Sequence, residues 1–211
     1  MIGAGGHAGV LIEILLNQGR EIHAIVSPQL GASSIFKKFT HIDDDHYILN
    51  LDKDNIELVN GIGSLPNSNL RHQIYDKYKQ AGFTFSQVIS SKASISPYSQ
   101  LEEGCQVMPF ALVQHNTHIG ANSIINSHAT IEHDCKISAN VHIAPGVTIS
   151  GNVQIGYNTH IGTGASIINN IHIGEYSVIG AGSVVTKDIP EKSILYPAKP
   201  FLKCHDSSNK S

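Results

Sequence analysis

An aliphatic residue recurs at every sixth position through the second half of the chain. The series runs without insertion over seventeen positions, all of them Ile, Leu or Val: Ile89, Ile95, Leu101, Val107, Val113, Ile119, Ile125, Ile131, Ile137, Ile143, Ile149, Ile155, Ile161, Ile167, Ile173, Ile179 and Val185. Four positions further on stands a residue that is nearly always small or β-branched. A period of six fits neither an α-helix nor the alternation of a long strand. It is typical of short strands separated by turns, and it predicts a parallel β-helix of hexapeptide repeats around a thin aliphatic core.

Two further features of the repeat carry expectations. Glycine follows the aliphatic residue in five hexads, and we expect it to supply permissive backbone dihedrals at the turns; these residues are Gly120, Gly156, Gly162, Gly174 and Gly180. Cys105 and Cys135 fall at the small inward position, where we expect buried apolar filler.

Residues 1–88 lack this period and alternate between strand and helix patterns. A glycine-rich turn at residues 3–8 leads into an apolar helix pattern that ends at Gly19. Strands are predicted at 22–26, 56–62 and 84–89, and Ser68 is expected to cap a helix that runs to Gln80 and stops before Gly82. Such alternation predicts a small α/β domain with a parallel sheet. Only Met1 and Ile2 stand before Gly3, so the first strand is either truncated or misassigned.

Composition excludes several classes of protein. The chain has 211 residues, 15% of them charged and 41% hydrophobic, with a net charge of −3. This is not the composition of a disordered chain or of a protein with a broad basic face for nucleic acid. No apolar run approaches the ~20 residues of a membrane span, and no signal peptide is evident. The three cysteines have no CxxC spacing, which favours neither a disulfide framework nor zinc. We expect a cytoplasmic protein.

Thirteen histidines are present, but none has the HExxH spacing and none forms a tetrahedral set with acidic or thiolate partners. The sequence therefore predicts no metal site.

Several motifs together resemble one family. They are Gly5-Gly6-His7, Ile62-Gly63, Asn126, Ile131-Glu132-His133-Asp134, His142, the segment from Gly180 to Val185, and Pro197-Ala198-Lys199. With the six-residue period, they make the chain similar to the hexapeptide-repeat sugar acetyltransferases, which include bacterial UDP-4-amino-sugar N-acetyltransferases and sialic acid O-acetyltransferases. The resemblance implies that the β-helix is left-handed. It also implies that three hexads form one coil, so that residues eighteen apart stack: His115 on His133, and His142 on His160.

The resemblance also implies residue roles. His133 would be the general base and Asp134 its orienting carboxylate, because acetyl transfer from a thioester to an amine requires a group that takes the amine's proton near neutral pH. Acetyl-CoA would lie between neighbouring β-helices of a homotrimer, along His142, Gly151, Thr163 and Ala181. Lys199 would hold CoA phosphate, since five lysines follow residue 186 whereas residues 93–186 contain one.

The glycine turn suggests an acceptor that carries phosphate, because free N–H groups at a helix start bind anions. Gly5, His7, Gly63 and Asn126 are the candidate substrate-binding residues, for a nucleotide-linked amino sugar of the UDP-4-amino-4,6-dideoxy type used in bacterial surface glycans. No acidic residue follows Val26, which disfavours a dinucleotide. Three alternatives stay open: an O-acetyltransferase of sialic-acid-type sugars, a non-catalytic β-helix module, and a carbonic-anhydrase-like β-helix.

The expected organisation has three parts. Residues 1–88 form a small α/β domain that binds the nucleotide sugar, with its first strand possibly truncated. Residues 89–186 form the left-handed parallel β-helix that carries acyl transfer, and residues 187–211 form a carboxyl-terminal extension and tail.

Overall fold

The computed structural model describes residues 1–66 and 68–198, which form an amino-terminal α/β part followed by a β-helix. The amino-terminal elements are α1 (Gly6–Asn17), β1 (Ala24–Val26), a 3₁₀ turn (Ser34–Lys38), β2 (Thr40–Ile42), α2 (His46–Leu49) and α3 (Leu70–Gln80). Gly19 and Gly82, which follow α1 and α3, have positive φ values, as expected of residues that end a helix.

The capping residue of α3 differs from the prediction. Asn69 rather than Ser68 occupies the N-cap, and its side chain makes no capping hydrogen bond. The Asn69 Oδ1 atom instead accepts a hydrogen bond of 3.4 Å from Asn158 Nδ2 of the β-helix. A tertiary contact therefore takes the acceptor that a local cap would use.

The amino-terminal sheet is parallel, and Ile2 lies in its middle. Ile2 bridges Val26 on one side and Asn60 on the other, while Leu58 bridges Phe85. β1 pairs with β2 on the outer side. The residues just before the glycine turn therefore hold the place of the first strand, although one residue makes both bridges. The segment predicted as a strand at 56–62 contributes single bridges rather than a regular strand.

Within the described residues, eighteen strands of two residues each build the β-helix. They are β3 Val88–Ile89, β4 Ser94–Ile95, β5 Gln100–Leu101, β6 Gln106–Val107, β7 Leu112–Val113, β8 His118–Ile119, β9 Ile124–Ile125, β10 Thr130–Ile131, β11 Lys136–Ile137, β12 His142–Ile143, β13 Thr148–Ile149, β14 Gln154–Ile155, β15 His160–Ile161, β16 Ser166–Ile167, β17 His172–Ile173, β18 Val178–Ile179, β19 Val184–Val185 and β20 Ile194–Leu195.

These strands form the three faces of a prism. Face 1 contains β4, β7, β10, β13, β16 and β19; face 2 contains β5, β8, β11, β14 and β17; face 3 contains β3, β6, β9, β12, β15, β18 and β20. From β3 to β19, strands one coil apart pair in parallel with an offset of eighteen residues, as Ile131 does with Ile149. The predicted left-handed β-helix after a small α/β region is thus confirmed. The stacking extends past residue 186, because β20 pairs with β18.

The predicted aliphatic series forms the core of the prism. From Val107 to Val185, every member is at most 2% exposed, whereas Ile89, Ile95 and Leu101 of the first coil are partly buried. Cys105 and Cys135 are fully buried between them, as expected. Each coil closes the core of its neighbour, so stability accumulates along the axis.

The expectation for the hexad glycines is wrong in its physical reason. Positive φ values occur three positions after the aliphatic residue, for example at Asn122, Asn140 and Gly146, and not at the glycine directly after it. A Cβ at Gly120 would lie 2.5 Å from the backbone nitrogen of Ala139, and a Cβ at Gly156 would lie 2.6 Å from that of Glu175. These glycines therefore permit the close approach of the next coil rather than a special dihedral.

The amino-terminal part packs on face 3. α1 lies against β3. Arg71 of α3 donates from Nε to the carbonyl oxygen of Asn122 (3.1 Å), and Gln106 of β6 donates from Nε2 to the carbonyl oxygen of Asn60 (2.7 Å). Buried polar bonds thus fix the glycine turn and the segment after Asn60 over this face of the prism.

Candidate functional site

His133 and Asp134 form a hydrogen-bonded pair at the corner between face 1 and face 2. This turn joins β10 to β11, and we call it the His133 corner; its next coils carry residues 115–116, 151–152 and 169–170. His133 Nδ1 lies 2.7 Å from Asp134 Oδ2, and the two side chains are 59% and 46% exposed. A carboxylate only accepts, so the imidazole donates its Nδ1 proton and leaves the Nε2 lone pair free. The arrangement is that of an oriented base.

The Asp134 carboxylate is itself held by the coil above. Asn116 Nδ2 donates to Asp134 Oδ1 over 2.7 Å. This hydrogen bond is the largest cause that lowers the pKa of Asp134, and the hydrogen bond from His133 is the next. The carboxyl group is therefore ionised at neutral pH and can stabilise a protonated His133.

Gly151 lies one coil below His133. A Cβ added at Gly151 would stand 2.7 Å from the Cε1 atom of His133 and 2.8 Å from its Nε2 atom. The imidazole thus occupies the space that any other residue at 151 would fill. The resemblance assigned Gly151 to acetyl-CoA; the structure places its backbone beside the Nε2 atom of His133.

A second group of candidate residues lies on face 3. His142 Nδ1 donates to the carbonyl oxygen of Ser64 at 3.2 Å, and Asn126 Nδ2 is 3.4 Å from His142 Nε2. The Asn126 amide is oriented because its Oδ1 accepts from the backbone N–H of Ser127. Because a carbonyl only accepts, Nδ1 of His142 carries the proton and Nε2 accepts from Asn126.

His7 joins the same group. His7 Nε2 lies 2.7 Å from Oε1 of Gln106, whose amide is oriented by its bond to the carbonyl oxygen of Asn60. His7 therefore donates from Nε2. Gly63 is adjacent, since a Cβ there would be 3.5 Å from the Cβ of His7. His7, Gly63, Asn126 and His142 are thus brought together between the amino-terminal part and face 3.

Burial keeps the histidines of this group neutral. It lowers the pKa of His142 to about 3, with the neighbouring His160 and His7 acting in the same direction. It lowers the pKa of His7 to about 4, with the charge of Arg71 as the second cause. The rings of His142 and His160 are edge to face, 4.7 Å apart, as the stacking by eighteen predicted. Neutral imidazoles can bind and orient a polar ligand, but at neutral pH they carry no charge and are not general acids.

Arg71 is a buried cation beside this group. It is 6% exposed, and its Nη1 donates to the carbonyl oxygens of Asn60 and Ile62 at 3.0 and 2.6 Å. Burial lowers the pKa of the guanidinium to about 9. The side chain therefore ties the segment that carries Gly63 to α3 and, through Asn122, to the β-helix.

The glycine turn presents the start of α1. Gly5 is the N-cap and makes no side-chain cap hydrogen bond, and the first turn contains no acidic residue. Gly5 and Gly6 are exposed. The first N–H groups of this twelve-residue helix accordingly stay open to an anion.

The two remaining candidates, Thr163 and Ala181, lie at a third place. They stack one coil apart at the corner between face 3 and face 1, directly before Gly164 and Gly182. With Pro145 and Gly146 one coil above, these residues form what we call the glycine corner. Gly146, Gly164 and Gly182 have positive φ, and a Cβ on any of them would meet nothing within 4 Å. The corner is an open edge of backbone along which an extended ligand can lie.

Within one chain the candidates do not meet. His133 and Asp134 lie at the corner opposite face 3, whereas His142, Asn126, His7 and Gly63 lie on face 3. The thickness of the prism separates His133, the expected base, from the residues that we expect to hold the acceptor. Lys199 lies outside the described residues, as does the tail from Cys204; of the late lysines, Lys187 and Lys192 are described and exposed.

Sequence reasoning missed four participants: Asn116, Arg71, Gln106 and Ser64. The stacking by eighteen contains the signal for Asn116, which stands one coil above Asp134, and for the contact of Gly151 with His133. No local pattern marks Arg71, Gln106 or Ser64, because their partners lie across the contact between the two parts of the chain.

Two absences hold for the part of the chain that the structure describes. Residues 1–66 and 68–198 contain no group of three or more His, Cys, Asp or Glu side chains that could hold a metal ion. Over the same residues, no helix is both long enough and apolar enough to cross a bilayer.

Comparison with known proteins places this geometry in a family. The model of the bacterial transferase hexapeptide (six repeats) matches residues 98–133 and 152–187, and that of the PglD N-terminal domain matches residues 1–78. A solved variant of perosamine N-acetyltransferase from Caulobacter crescentus, in complex with CoA and GDP-perosamine, is 30% identical with a TM-score of 0.82, covering 92% of this chain and 90% of its own. The chain belongs to the hexapeptide-repeat sugar acetyltransferase family.

Other solved members agree with this assignment. The acetyltransferase domain of PglB from Neisseria gonorrhoeae, in complex with acetyl coenzyme A, is 32% identical with a TM-score of 0.82, covering 95% of this chain and 97% of its own. WeeI from Acinetobacter baumannii shares the fold, at 24% identity and a TM-score of 0.79 over 92% of this chain and 93% of its own. A search of curated protein sequences finds no match. Membership of the hexapeptide-repeat sugar acetyltransferase family makes the chain an acyltransferase.

Proposed function

We propose that the protein is an acetyl-CoA-dependent N-acetyltransferase that acts on a nucleotide-linked amino sugar, of the UDP-4-amino-4,6-dideoxy type, in bacterial surface glycan biosynthesis. The observation that carries the proposal is the exposed His133–Asp134 pair, whose Nε2 lone pair is directed away from the carboxylate. Two relatives of at least 30% identity support the substrate class: one is solved with CoA and GDP-perosamine and the other with acetyl coenzyme A.

His133 performs the proton transfer in this reaction. As the amine nitrogen attacks the thioester carbonyl, it loses a proton, which Nε2 of His133 accepts. Asp134 stabilises the imidazolium that forms, through its hydrogen bond to Nδ1. The carbon–sulfur bond breaks, the acetyl group stays on nitrogen as an amide, and the imidazolium passes its proton to the departing thiolate, which restores neutral His133. The enzyme forms no covalent intermediate, and the step uses no metal.

The acceptor lies between the amino-terminal part and face 3. The open start of α1 at Gly5 and Gly6 suits the nucleotide phosphates, because the helix dipole and free N–H groups favour anions. Neutral His7, with Asn126 and the backbone of Gly63, offers hydrogen bonds to sugar hydroxyls without adding charge. Burial of His142 supports its proposed role in binding acetyl-CoA over a role in proton transfer.

Two copies of the chain complete one site in this proposal. Face 1 is bounded by the His133 corner on one side and the glycine corner on the other. If three copies turn face 1 towards a common axis, cyclic symmetry brings each His133 corner beside the neighbour's glycine corner, and so beside the neighbour's Asn126 and His142. A homotrimer therefore joins the base to the acceptor group.

The side chains of face 1 suit burial between copies. Those that point outward from its strands are uncharged: Ser94, Leu112, Thr130, Thr148, Ser166 and Val184. Val184 and Ile168 are 65% and 42% exposed in the single chain. The outward side chains of face 2 are instead all polar, and one of them is a lysine: Gln100, His118, Lys136, Gln154 and His172. Neutral, partly apolar surface is the kind that oligomers cover.

Acetyl-CoA is proposed to lie in the groove between the two corners. His142, Gly151 beneath His133, and the backbone at Thr163 and Ala181 would line its thioester and pantetheine arm, as the open glycine edge permits. Lys199 is the proposed partner of CoA phosphate. Both substrates are soluble metabolites, which agrees with a cytoplasmic location.

One observation favours a second candidate, an O-acetyltransferase of sialic-acid-type sugars. No acidic residue follows β1, where Ser27 and Pro28 stand, so the amino-terminal part lacks the side chain expected for a nucleotide ribose. This enzyme would use the same base and groove.

Release of free thiol from acetyl-CoA separates the two functions. The purified protein is offered a UDP-4-amino-4,6-dideoxy sugar and, in parallel, free sialic acid. The proposal predicts release only with the nucleotide amino sugar. Release only with sialic acid would establish the O-acetyltransferase instead.

A further inference from the structure

Asn116 contacts the one carboxylate oxygen of Asp134 that His133 leaves free. Asn116 stands one coil above Asp134 at the His133 corner, and both residues have positive φ values, 55° and 62°. Asn116 Nδ2 donates to Oδ1 over 2.7 Å, while Oδ2 is 2.7 Å from His133 Nδ1. The three side chains form one chain of hydrogen bonds that ends at the imidazole.

The orientation of Asp134 depends on this contact because its side chain is otherwise exposed. No other side chain among the described residues bonds to this carboxylate, and the pair with His133 is close to solvent. An exposed carboxylate can rotate about its χ angles and offer either oxygen, or neither, to the imidazole. Asn116 ties one oxygen and so directs the other at Nδ1, which keeps the proton on Nδ1 and the lone pair on Nε2.

We propose that Asn116 is a positioning residue for acetyl transfer: through Asp134 it selects the tautomer of His133 in which Nε2 is the base. The inference rests on the proposed function only in that His133 is taken to be the base. The tautomer itself is a property of the protein that can be measured without any substrate.

The same corner offers a matched control. Two coils further on, Asn152 Nδ2 donates to Asn170 Oδ1 over 2.9 Å, and Asn170 also has a positive φ value, 61°. This hydrogen bond between corner side chains is of the same kind, but Asn170 touches neither His133 nor Asp134. If hydrogen bonds between corner side chains served only to stabilise the fold, removing either of these two bonds should have the same effect.

Glycine is the informative substitution at both positions. Alanine would add the strain of a left-handed conformation, whereas glycine adopts positive φ freely. Asn116→Gly therefore removes the hydrogen bond to Asp134 without adding strain. Asn170→Gly removes the hydrogen bond from Asn152 in the same way. Asn116→Asp keeps the size of the side chain but removes the donor, because an ionised carboxylate can only accept hydrogen bonds. Its charge would also face the carboxylate of Asp134.

Two measurements on these variants test the proposal. Hydrogen bonds that orient a functional histidine are worth about 10- to 100-fold at metal sites, so we expect Asn116→Gly and Asn116→Asp to lower kcat by about 10-fold or more with KM values unchanged. Long-range ¹H–¹⁵N NMR of His133, at a pH where the ring is neutral, should show Nδ1–H in the parent and in Asn170→Gly, but a share of Nε2–H in Asn116→Gly.

The outcomes separate this inference from the proposed function. Equal kcat and equal tautomers in Asn116→Gly and Asn170→Gly would overturn the positioning role, even if the parent enzyme transfers acetyl groups as proposed. Full activity of Asn116→Asp would also overturn it, because that variant has the shape without the donor. A changed tautomer in a protein that transfers no acetyl group would uphold the positioning of His133 and overturn the proposed function.

Discussion

The imidazole of His133 lies directly over Gly151, so close that a methyl group on Gly151 would stand 2.7 Å from the ring's Cε1 atom. One coil separates the two residues, and the hydrogen bond from Asn152 N to the carbonyl oxygen of His133 fixes their stacking. Gly151 thereby supports the ring of His133, the proposed base, and is also a proposed contact for the thioester. The position of Nε2 depends on the absence of a side chain there.

Gly151→Ala should lower kcat strongly while leaving the fold intact. The new methyl group would push aside the imidazole, which can swing into solvent because it is 59% exposed. We expect a loss of about 10²-fold in kcat, as for a misplaced general base, with little change in Tm.

Gly120→Ala is the contrasting control for this prediction. Its methyl group would meet the backbone nitrogen of Ala139 at 2.5 Å, and backbone cannot move aside without disturbing the coil. That variant should lose several degrees in Tm. Thermal melts and steady-state kinetics on both proteins decide the matter: a large Tm loss in Gly151→Ala, with kcat unchanged, would contradict the described contact.

Two chains that carry different substitutions should restore activity when they assemble into one oligomer. His133→Ala and His142→Ala each remove one side of the proposed shared site, and each should have low activity alone. Co-expressed with different affinity tags and purified as mixed oligomers, they should recover activity well above the sum of the two, because some interfaces pair an intact His133 with an intact His142.

A site contained within one chain would give the opposite result, since each chain would then hold one lesion. Mixed oligomers of two differently tagged His133→Ala chains serve as the control for the effects of tagging. Their activity should remain at the level of the single variant.

The buried histidines make stability depend on pH. The pKa of His142 in the folded protein is about 3, well below the ordinary value of 6.5, so the unfolded chain binds the additional proton between these values. Stability should therefore fall as pH decreases from about 6.5 towards 3, and it should be fully present above 6.5. His7, His160 and Arg71 surround His142, and the first two act in the same direction because burial lowers their pKa values too.

His142→Gln should reduce this pH dependence. Denaturant unfolding between pH 7 and pH 5 should give a slope smaller by up to about 1.4 kcal/mol per pH unit, the value for one proton. His172→Gln removes an exposed histidine of face 2 and controls for the general loss of an imidazole. Identical slopes for the two variants would rule out the buried neutral state of His142.

Arg71 should matter to both the fold and the acceptor. Arg71→Met leaves the carbonyl oxygens of Ile62 and Asn122 without this donor, and we expect a loss of about 3 kcal/mol in the free energy of unfolding. Because the segment from Asn60 to Ser64 carries Gly63, which lies beside His7, KM for the acceptor should rise more than KM for acetyl-CoA.

Arg20→Met provides the comparison for Arg71. Arg20 also donates to backbone, at the carbonyl oxygen of Gln87, but its side chain is 36% exposed and lies away from the acceptor group. Arg20→Met should therefore lower the free energy of unfolding by less than Arg71→Met does, and it should leave both KM values unchanged. Equal rises in the two KM values of Arg71→Met would argue against its specific link to the acceptor.

The sequence predicts the β-helix well because its signal is periodic and its core is one-dimensional. Ile131 must point inward wherever the coil repeats, and the stacking by eighteen then places His142 on His160. The reason for the hexad glycines could not be read from the period, because the close approach of Gly120 to Ala139 is a contact between coils. The cap at Asn69 escaped prediction for a similar reason, since Asn158 competes for it.

The residues of the candidate site also differ in how far the sequence predicts them. His133 and Asp134 are sequence neighbours, so their hydrogen bond was foreseeable, and Asn116 and Gly151 follow from adding or subtracting one coil. Arg71, Gln106 and Ser64 belong to contacts between two separately patterned parts of the chain, and their alignment has no local signal. The separation of His133 from His142 by the width of the prism likewise emerges only in three dimensions.

The measurement that tests the account most directly is the identity of the bond formed on the acceptor. The enzyme is incubated with acetyl-CoA and a UDP-4-amino-4,6-dideoxy sugar, and the product is examined by mass spectrometry before and after alkaline hydroxylamine, which cleaves oxygen esters and spares amides. If the protein is an N-acetyltransferase with His133 as its base, the product should be heavier by one acetyl group and should resist hydroxylamine. The rate should be lower by about 10²- to 10⁴-fold in His133→Ala. An ester product, or an unchanged rate in His133→Ala, would contradict the account.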